Sequence, residues 1–243
     1  MITYFETHIT DACNLNCRGC SHFSVLAKPK HKDLGEFERE FKRLAEIEEV
    51  KTIRLMGGEP LLNPDFMEYL RIARRYFPES NICLVTNGTL GERLKPHRVE
   101  LASLRINVTK SEYHIVDDAI VYTERHDKSE LYNISLDPTG SQDEDIAFLF
   151  CDHRMNSCVY LADGRLYLCA IAGCIHDFWR YFELDWGLEQ KDFGIDIFTH
   201  TAEEIEQFLQ SPCELCRYCD TINRQKSYAP FGISEKKIEE WTV

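Results

Sequence analysis

The stretch Asp11–Cys20, DACNLNCRGC, sets three cysteines within eight residues. Their spacing is C-x3-C-x2-C, and the next cysteine is Cys83. A structural zinc site takes four protein ligands, as does an ordinary iron–sulfur electron carrier. Three thiolates leave one coordination position open, where a small molecule can bind and react. The other cysteines are grouped as well: Cys83 stands alone in an apolar strand, where it reads as a core residue, followed by Cys151, Cys158, Cys169 and Cys174, then Cys213, Cys216 and Cys219. Such grouping points to metal or cluster ligation rather than to scattered core thiols.

The bulk numbers bound the function classes. With 243 residues, 44% hydrophobic and 28% charged, the chain can bury a full core. Lys+Arg 28 against Asp+Glu 41 gives a net charge of −13, which excludes a phosphate-tracking nucleic-acid binder. No apolar run approaches 18 residues, so no membrane span is expected. The opening MITYFETHITDAC has no basic segment followed by an apolar one. A secretory signal is therefore not expected, and a cytoplasmic location with reduced thiols is.

The elements that must position these cysteines follow from periodicity. Residues 2–9 read as a strand, and 35–49 as a helix with Phe37, Phe41, Leu44 and Ala45 on one face. A strand at 51–56 ends at Gly57-Gly58, and a helix at 64–77 starts from Pro64. Strands follow at 81–86 and 104–108, then a helix around 113–127 and a strand at 131–136. Repeated strand–helix units imply a parallel sheet, open or curved towards a barrel, with its site at the C-terminal strand ends. Asp11–Cys20, Gly57–Pro60, Thr86–Thr89 and Asn107–Lys110 fall at those ends. The character changes at about 138–150, dividing the chain into 1–140 and 141–243. The second part opens with a hairpin at 157–169 around Asp163-Gly164. An aromatic-rich stretch, HDFWRYFELDW, comes next, then a helix at 202–210 and the run CELCRYC.

C-x3-C-x2-C after the first strand, GGEP (Gly57–Pro60) after the second and TNGT (Thr86–Thr89) after the third together resemble the radical S-adenosylmethionine (radical SAM) superfamily. The resemblance covers about residues 1–135. It implies an α/β fold, a partial (βα)n TIM-like barrel, with Cys13, Cys17 and Cys20 holding three irons of a [4Fe–4S] cluster. S-adenosylmethionine would chelate the fourth iron through its amino and carboxylate groups. Gly57 and Gly58 are then expected to let the backbone approach that cofactor, and Glu59 to accept hydrogen bonds from its ammonium. On this reading, Gly58→Val excludes S-adenosylmethionine and spares the iron. Asn107 aligns with a ribose-contacting position, the alternative being a solvent-facing strand residue. The residue before the third cysteine, usually aromatic in this superfamily, is Gly19 here. His22 or Phe23 is the candidate for the adenine contact in its place, with a loop histidine of no ligand role as the alternative for His22.

The later cysteines resemble the SPASM/Twitch extension of the same superfamily. Cys151-x12-Gly164-x4-Cys169 fits its first half, and Cys213 with Cys216 its later pair. The resemblance implies a second, auxiliary [4Fe–4S] cluster on Cys151, Cys169, Cys213 and Cys216, in the one-cluster Twitch form. Cys158, Cys174 and Cys219 are possible substitutes, and a zinc ribbon on two cysteine pairs is the alternative.

The implied activity is reductive cleavage of S-adenosylmethionine to methionine and a 5′-deoxyadenosyl radical, with flavodoxin or ferredoxin as electron donor. That radical takes a hydrogen atom from the substrate, and an auxiliary cluster makes net two-electron oxidation a natural outcome. Peptide-modifying relatives often carry a recognition domain before the barrel, whereas the cluster motif here begins at residue 13. A small-molecule or carbohydrate substrate is therefore expected. The alternatives are a maturase acting on a peptide or protein and a non-catalytic iron–sulfur or metal-binding protein.

Overall fold

In the computed structural model, the described residues are 1–243 except 114, 116–119, 121, 129, 133, 134, 156 and 225–227. They divide into two units, one of Met1–Leu15 and Pro29–Ser129, the other of Asn16–Lys28 and Glu130–Val243. Residues 16–28 group with the second unit although they interrupt the first, which a linear division at 140 does not capture.

The first unit runs β1 (Ile2–His8), α1 (Leu34–Ile47), β2 (Val50–Met56), α2 (Phe66–Tyr76), β3 (Asn81–Thr86), α3 (Arg98–Ser103), β4 (Ile106–Glu112) and β5 (Glu124–Asp127). All five strands pair in parallel, in the order β5-β4-β3-β2-β1. Asp33 starts α1 by accepting the Glu36 amide at 2.9 Å, satisfying one of the helix's orphan donors. The helical period then puts Phe37, Phe41 and Leu44 on its buried side. They meet β1 through Phe5, whose ring lies 5.7 Å from Phe41, and α2 through Tyr69, 4.9 Å from Phe37.

The strand register explains what the sheet offers on each side. Phe5, Ile53, Ile82 and Ile106 form one row, and Thr7, Leu55, Leu84 and Val108 the next on the same face. This face packs on the helices, each buried aliphatic or aromatic side chain contributing roughly 1.5–3 kcal/mol. Glu6, Arg54, Cys83 and Asn107 lie in register on the opposite face. There the Tyr4 hydroxyl donates to Glu6 at 2.5 Å, and the Arg54 guanidinium lies 5.2 Å from the Tyr4 ring centroid. Parallel sheets are usually apolar on both faces. This one is polar on the face away from its helices.

Three expectations for this part need correction. The stretch read as a helix around 113–127 ends in strand β5, while residues 114, 116–119 and 121 lie outside the described ones. The strand read at 104–108 is Ile106–Glu112. Leu104 closes α3 by donating its amide to Glu100, and Arg105 takes a left-handed φ of 52°. The strand read at 131–136 is Glu130–Tyr132, with residues 133 and 134 outside the described ones. The fifth parallel strand is therefore Glu124–Asp127.

The second unit contains β6 (Glu130–Tyr132), α4 (Glu144–Leu149), α5 (Asp152–Met155), β7 (Val159–Ala162), β8 (Arg165–Tyr167), α6 (Ala170–Phe182), β9 (Ile195–Asp196), α7 (Ala202–Leu209), α8 (Thr221–Arg224) and β10 (Tyr228–Pro230). β7, β8 and β9 pair antiparallel, as do β6 and β10. Asp163 and Gly164 turn the β7–β8 hairpin with φ of 47° and 74°, the double positive φ of a type I′ turn. Thr201 and Glu204 form a capping box at the start of α7. The stretch HDFWRYFELDW, read without a helix, supplies most of α6. Ile171, Ile175, Phe178 and Trp179 of α6 are all at most 2% exposed, so the helix is the centre of this unit's core. Among the described residues, no helix of either unit is long and apolar enough to cross a membrane.

Candidate active site and cluster ligands

The loop leaving β1 and the loop leaving β2 are fitted to each other at the backbone. Gly58 donates its amide to the Thr10 carbonyl at 2.9 Å, and Glu59 donates to the Ala12 carbonyl at 2.8 Å. A Cβ on Gly57 would overlap the Thr10 carbonyl oxygen, and one on Gly58 would overlap the Ala12 carbonyl oxygen and lie 2.7 Å from Cys13 Cβ. No side chain fits at either position. The two glycines therefore seat the GGEP turn directly on the segment that carries Cys13.

Glu59 has a structural job that its motif alone does not reveal. Its side chain is fully buried, and its oxygens accept from Thr86 Oγ1 at 2.7 Å, the Asn87 amide at 2.7 Å and the Leu61 amide at 3.0 Å. The carboxylate thus ties the β2 exit to the β3 exit with three of its acceptor positions. Burial pushes its pKa up to about 6, against the opposing pull of these three donors. Asn14, inside the cysteine motif, extends the tie. It donates to Thr89 Oγ1 at 2.8 Å and accepts from Asn87 Nδ2 at 2.9 Å. The sequence reading missed Asn14, although an asparagine in each of two loops at the same sheet end was the available signal.

Two other expected contacts are not brought to this end. Asn107 sits one residue into β4 and donates to Asn81 at 2.6 Å at the start of β3. Three residues of strand, about 10 Å, separate it from Lys110, the partner of Thr86 at the C-terminal end. Phe23 is fully buried in the second unit, its ring 5.3 Å from Phe178 and 6.3 Å from Trp241. It is a core side chain, with no face left for an adenine. His22 lies 6.3 Å from the Tyr160 ring.

Of the three motif cysteines, Cys13 belongs to the first unit and Cys17 and Cys20 to the second. Burial opposes ionisation of Cys20, but hydrogen bonds from the His22 ring and from the Ser24 and His22 amides outweigh it. The thiol is left below its ordinary pKa. A lowered thiol pKa favours the thiolate that a metal requires.

A second group of thiols gathers within the second unit. Cys151, Cys169, Cys213, Cys216 and Cys219 line one pocket, together with apolar side chains such as Leu168 and Leu215 and with the polar side chains of His153, Arg154 and Thr221. Cys213 and Cys216 Sγ are 4.0 Å apart. Burial, then the neighbouring Cys151, Cys219 and Cys216, push the Cys169 thiol well up. The contact with Cys213, then burial, raises Cys216. The raised Cys169 and Cys216 thiols favour a bound cation, whether zinc or a positively charged iron–sulfur core. Among the described residues, no three His, Cys, Asp or Glu side chains converge on a single-ion position. Cys158 and Cys174 do not line this pocket.

Comparison with known proteins agrees with the first unit's geometry. The family model "Radical SAM superfamily" matches residues 7–126. The GTP 3′,8-cyclase of Nautilia profundicola is 35% identical over 89 residues, 36% of this chain and 28% of that protein. That of Chlorobaculum tepidum is 32% identical over 108 residues, 44% of this chain and 32% of that protein. The chain thus spans about a third of the length of these curated relatives. Among solved structures, BtrN in complex with AdoMet and 2-DOIA is similar in fold. Its TM-score is 0.58 at 18% identity, covering 93% of this chain and 95% of that one. Cysteine motif, glycine seat and family match coincide on one stretch: residues 7–126 form a radical SAM superfamily domain.

Proposed function

We propose that this protein is a radical SAM enzyme that removes a hydrogen atom from a small polar molecule, such as a carbohydrate, in a net oxidation. Cys13, Cys17 and Cys20 hold the first [4Fe–4S] cluster, and Cys151, Cys169, Cys213 and Cys216 hold an auxiliary one. When bound, the reduced first cluster and S-adenosylmethionine supply the 5′-deoxyadenosyl radical that takes the hydrogen atom. The single observation that carries the reading is the seating of Gly57, Gly58 and Glu59 on Thr10–Cys13, which fixes the cysteine loop at the C-terminal end of β1. The protein's own residues then divide the work. The glycines and Glu59 hold the Cys13 segment, and a pocket of the second unit gathers the second set of thiols beside Leu168, Leu215, His153 and Arg154.

A polar substrate is favoured by the polar sheet face of the first unit. Tyr4, Glu6 and Arg54 there present a hydroxyl, a carboxylate and a guanidinium to whatever lies over that face. The 2-DOIA complex of BtrN, whose fold this chain resembles, is consistent with a small ligand. The test is deuterium transfer. Candidate polyols, aminocyclitols and peptides, deuterated at carbon, are incubated with reduced protein and S-adenosylmethionine, and the label in 5′-deoxyadenosine is measured. Label from a polyol or aminocyclitol supports the reading. Label from peptides alone assigns a maturase, and absence of 5′-deoxyadenosine under every condition leaves only an iron–sulfur or metal-binding role.

A further inference from the structure

The geometry points to residues 232–241 as the strap that holds the Cys17–Cys20 half of the cluster loop, with Trp241 as its positioning residue. The inference rests on the proposed role of these cysteines for its meaning, but not for its geometry. Residues 16–20 form no helix or extended strand, and Asn16 and Gly19 take left-handed φ values of 51° and 61°. A loop of that kind must satisfy its backbone groups elsewhere. The strap supplies the partners. Arg18 donates its amide to the Gly232 carbonyl at 2.8 Å, Ser234 donates to the Asn16 carbonyl at 2.9 Å, and Cys17 pairs with Ile233 in an antiparallel bridge. Trp241 Nε1 donates to the Cys20 carbonyl at 3.0 Å.

The strap is itself fixed. Glu240 accepts from Ser234 Oγ at 2.5 Å and from the Glu235 amide at 2.6 Å, closing the segment into a compact turn. The Trp241 carbonyl accepts from Leu136 at 2.7 Å. Its indole is fully buried, with Phe23, Phe178 and Phe182 ring centroids 5.9 to 6.3 Å away. One side chain thus connects the main aromatic core of the unit to the carbonyl of a candidate iron ligand. Packing alone would leave the indole nitrogen free to face anywhere polar. Its aim at Cys20 makes it a positioning contact.

Trp241→Phe keeps an aromatic ring in the core and removes the donor. Two readouts decide the matter. In cluster-free protein, amide hydrogen exchange of Arg18 should accelerate about fivefold, the factor corresponding to about 1 kcal/mol for one net hydrogen bond. In reconstituted protein, a chelator should strip the S-adenosylmethionine-responsive cluster faster by a similar factor, with the auxiliary cluster unchanged. Deleting residues 232–243 should abolish Arg18 protection altogether. Unchanged exchange at Arg18 in Trp241→Phe and in the deletion overturns the strap. Equal acceleration across the whole second unit also overturns it, because Trp241 is then only a core residue. If wild-type protein takes up no first cluster, the proposed function fails, while the exchange readout still decides the strap.

Discussion

A Cβ built on Gly58 lies 2.7 Å from Cys13 Cβ, closer than two such carbons approach in a folded protein. The glycine that the motif reading assigns to a cofactor contact is thus already in contact with a candidate cluster ligand. Gly58→Val must push the Thr10–Cys13 segment aside. The expected result is lower iron content at the first cluster together with weaker S-adenosylmethionine binding, measured by iron analysis and paramagnetic resonance on reconstituted protein. Full iron content with weakened cofactor binding would restore the simpler steric role.

Glu59 makes stability depend on pH in a defined direction. Its folded pKa, about 6, lies above the ordinary carboxylate value of 4.5. The folded state therefore binds this proton more tightly than the unfolded state does. The stabilisation is fully present below pH 4.5 and is lost as pH rises through about 6. The difference corresponds to about 2 kcal/mol between those limits. Urea unfolding of cluster-free wild type and Glu59→Gln should show the gap between them shifting by about this amount from pH 4.5 to 7. A gap independent of pH would mean that folding leaves the Glu59 pKa at its ordinary value.

Phe23→Ala separates a core side chain from an adenine contact. Emptying a buried phenylalanine site costs about 3–5 kcal/mol. The variant should lose that much stability in denaturant melts of cluster-free protein. Near wild-type stability with impaired cofactor binding would return Phe23 to the site.

Cys169→Ala should lose the auxiliary cluster, keep the first and still cleave S-adenosylmethionine. Cys158→Ala and Cys174→Ala should keep both clusters, since neither thiol lines the pocket. Cys219 does line it, so single-variant iron counts with Mössbauer spectroscopy must choose which of Cys151, Cys213, Cys216 and Cys219 join Cys169. Retention of the auxiliary cluster in Cys169→Ala, or its loss in Cys158→Ala, contradicts the ligand set.

Local signals were legible and distant ones were not. Strands β1, β2 and β3 with helices α1 and α2 follow from periodicity and caps, because each buries one face against its neighbours in the chain. β4 was displaced because Thr109 and Lys110 read as loop residues, yet both are 1% exposed in the strand's C-terminal half. That displacement carried Asn107 to the wrong end. α6 was overlooked although His176, Asp177, Arg180 and Tyr181 recur at helical spacing on its more exposed side, opposite Ile171, Ile175, Phe178 and Trp179. The role of Glu59 depends on Thr86 and Asn87, 27 and 28 residues away, and the Trp241 contact spans 221 residues. Polar residues alternating with Phe5 in β1 were a readable sign of the polar sheet face, and it went unused.

The central claim is that Cys13, Cys17 and Cys20 hold a cluster that activates S-adenosylmethionine. The direct measurement is 5′-deoxyadenosine release by anaerobically reconstituted and reduced protein given S-adenosylmethionine without substrate. Wild type should release it, and the variant with all three cysteines changed to Ala should release none while retaining the auxiliary cluster. Continued release by the triple variant, or none from a wild type that carries both clusters, would contradict the account.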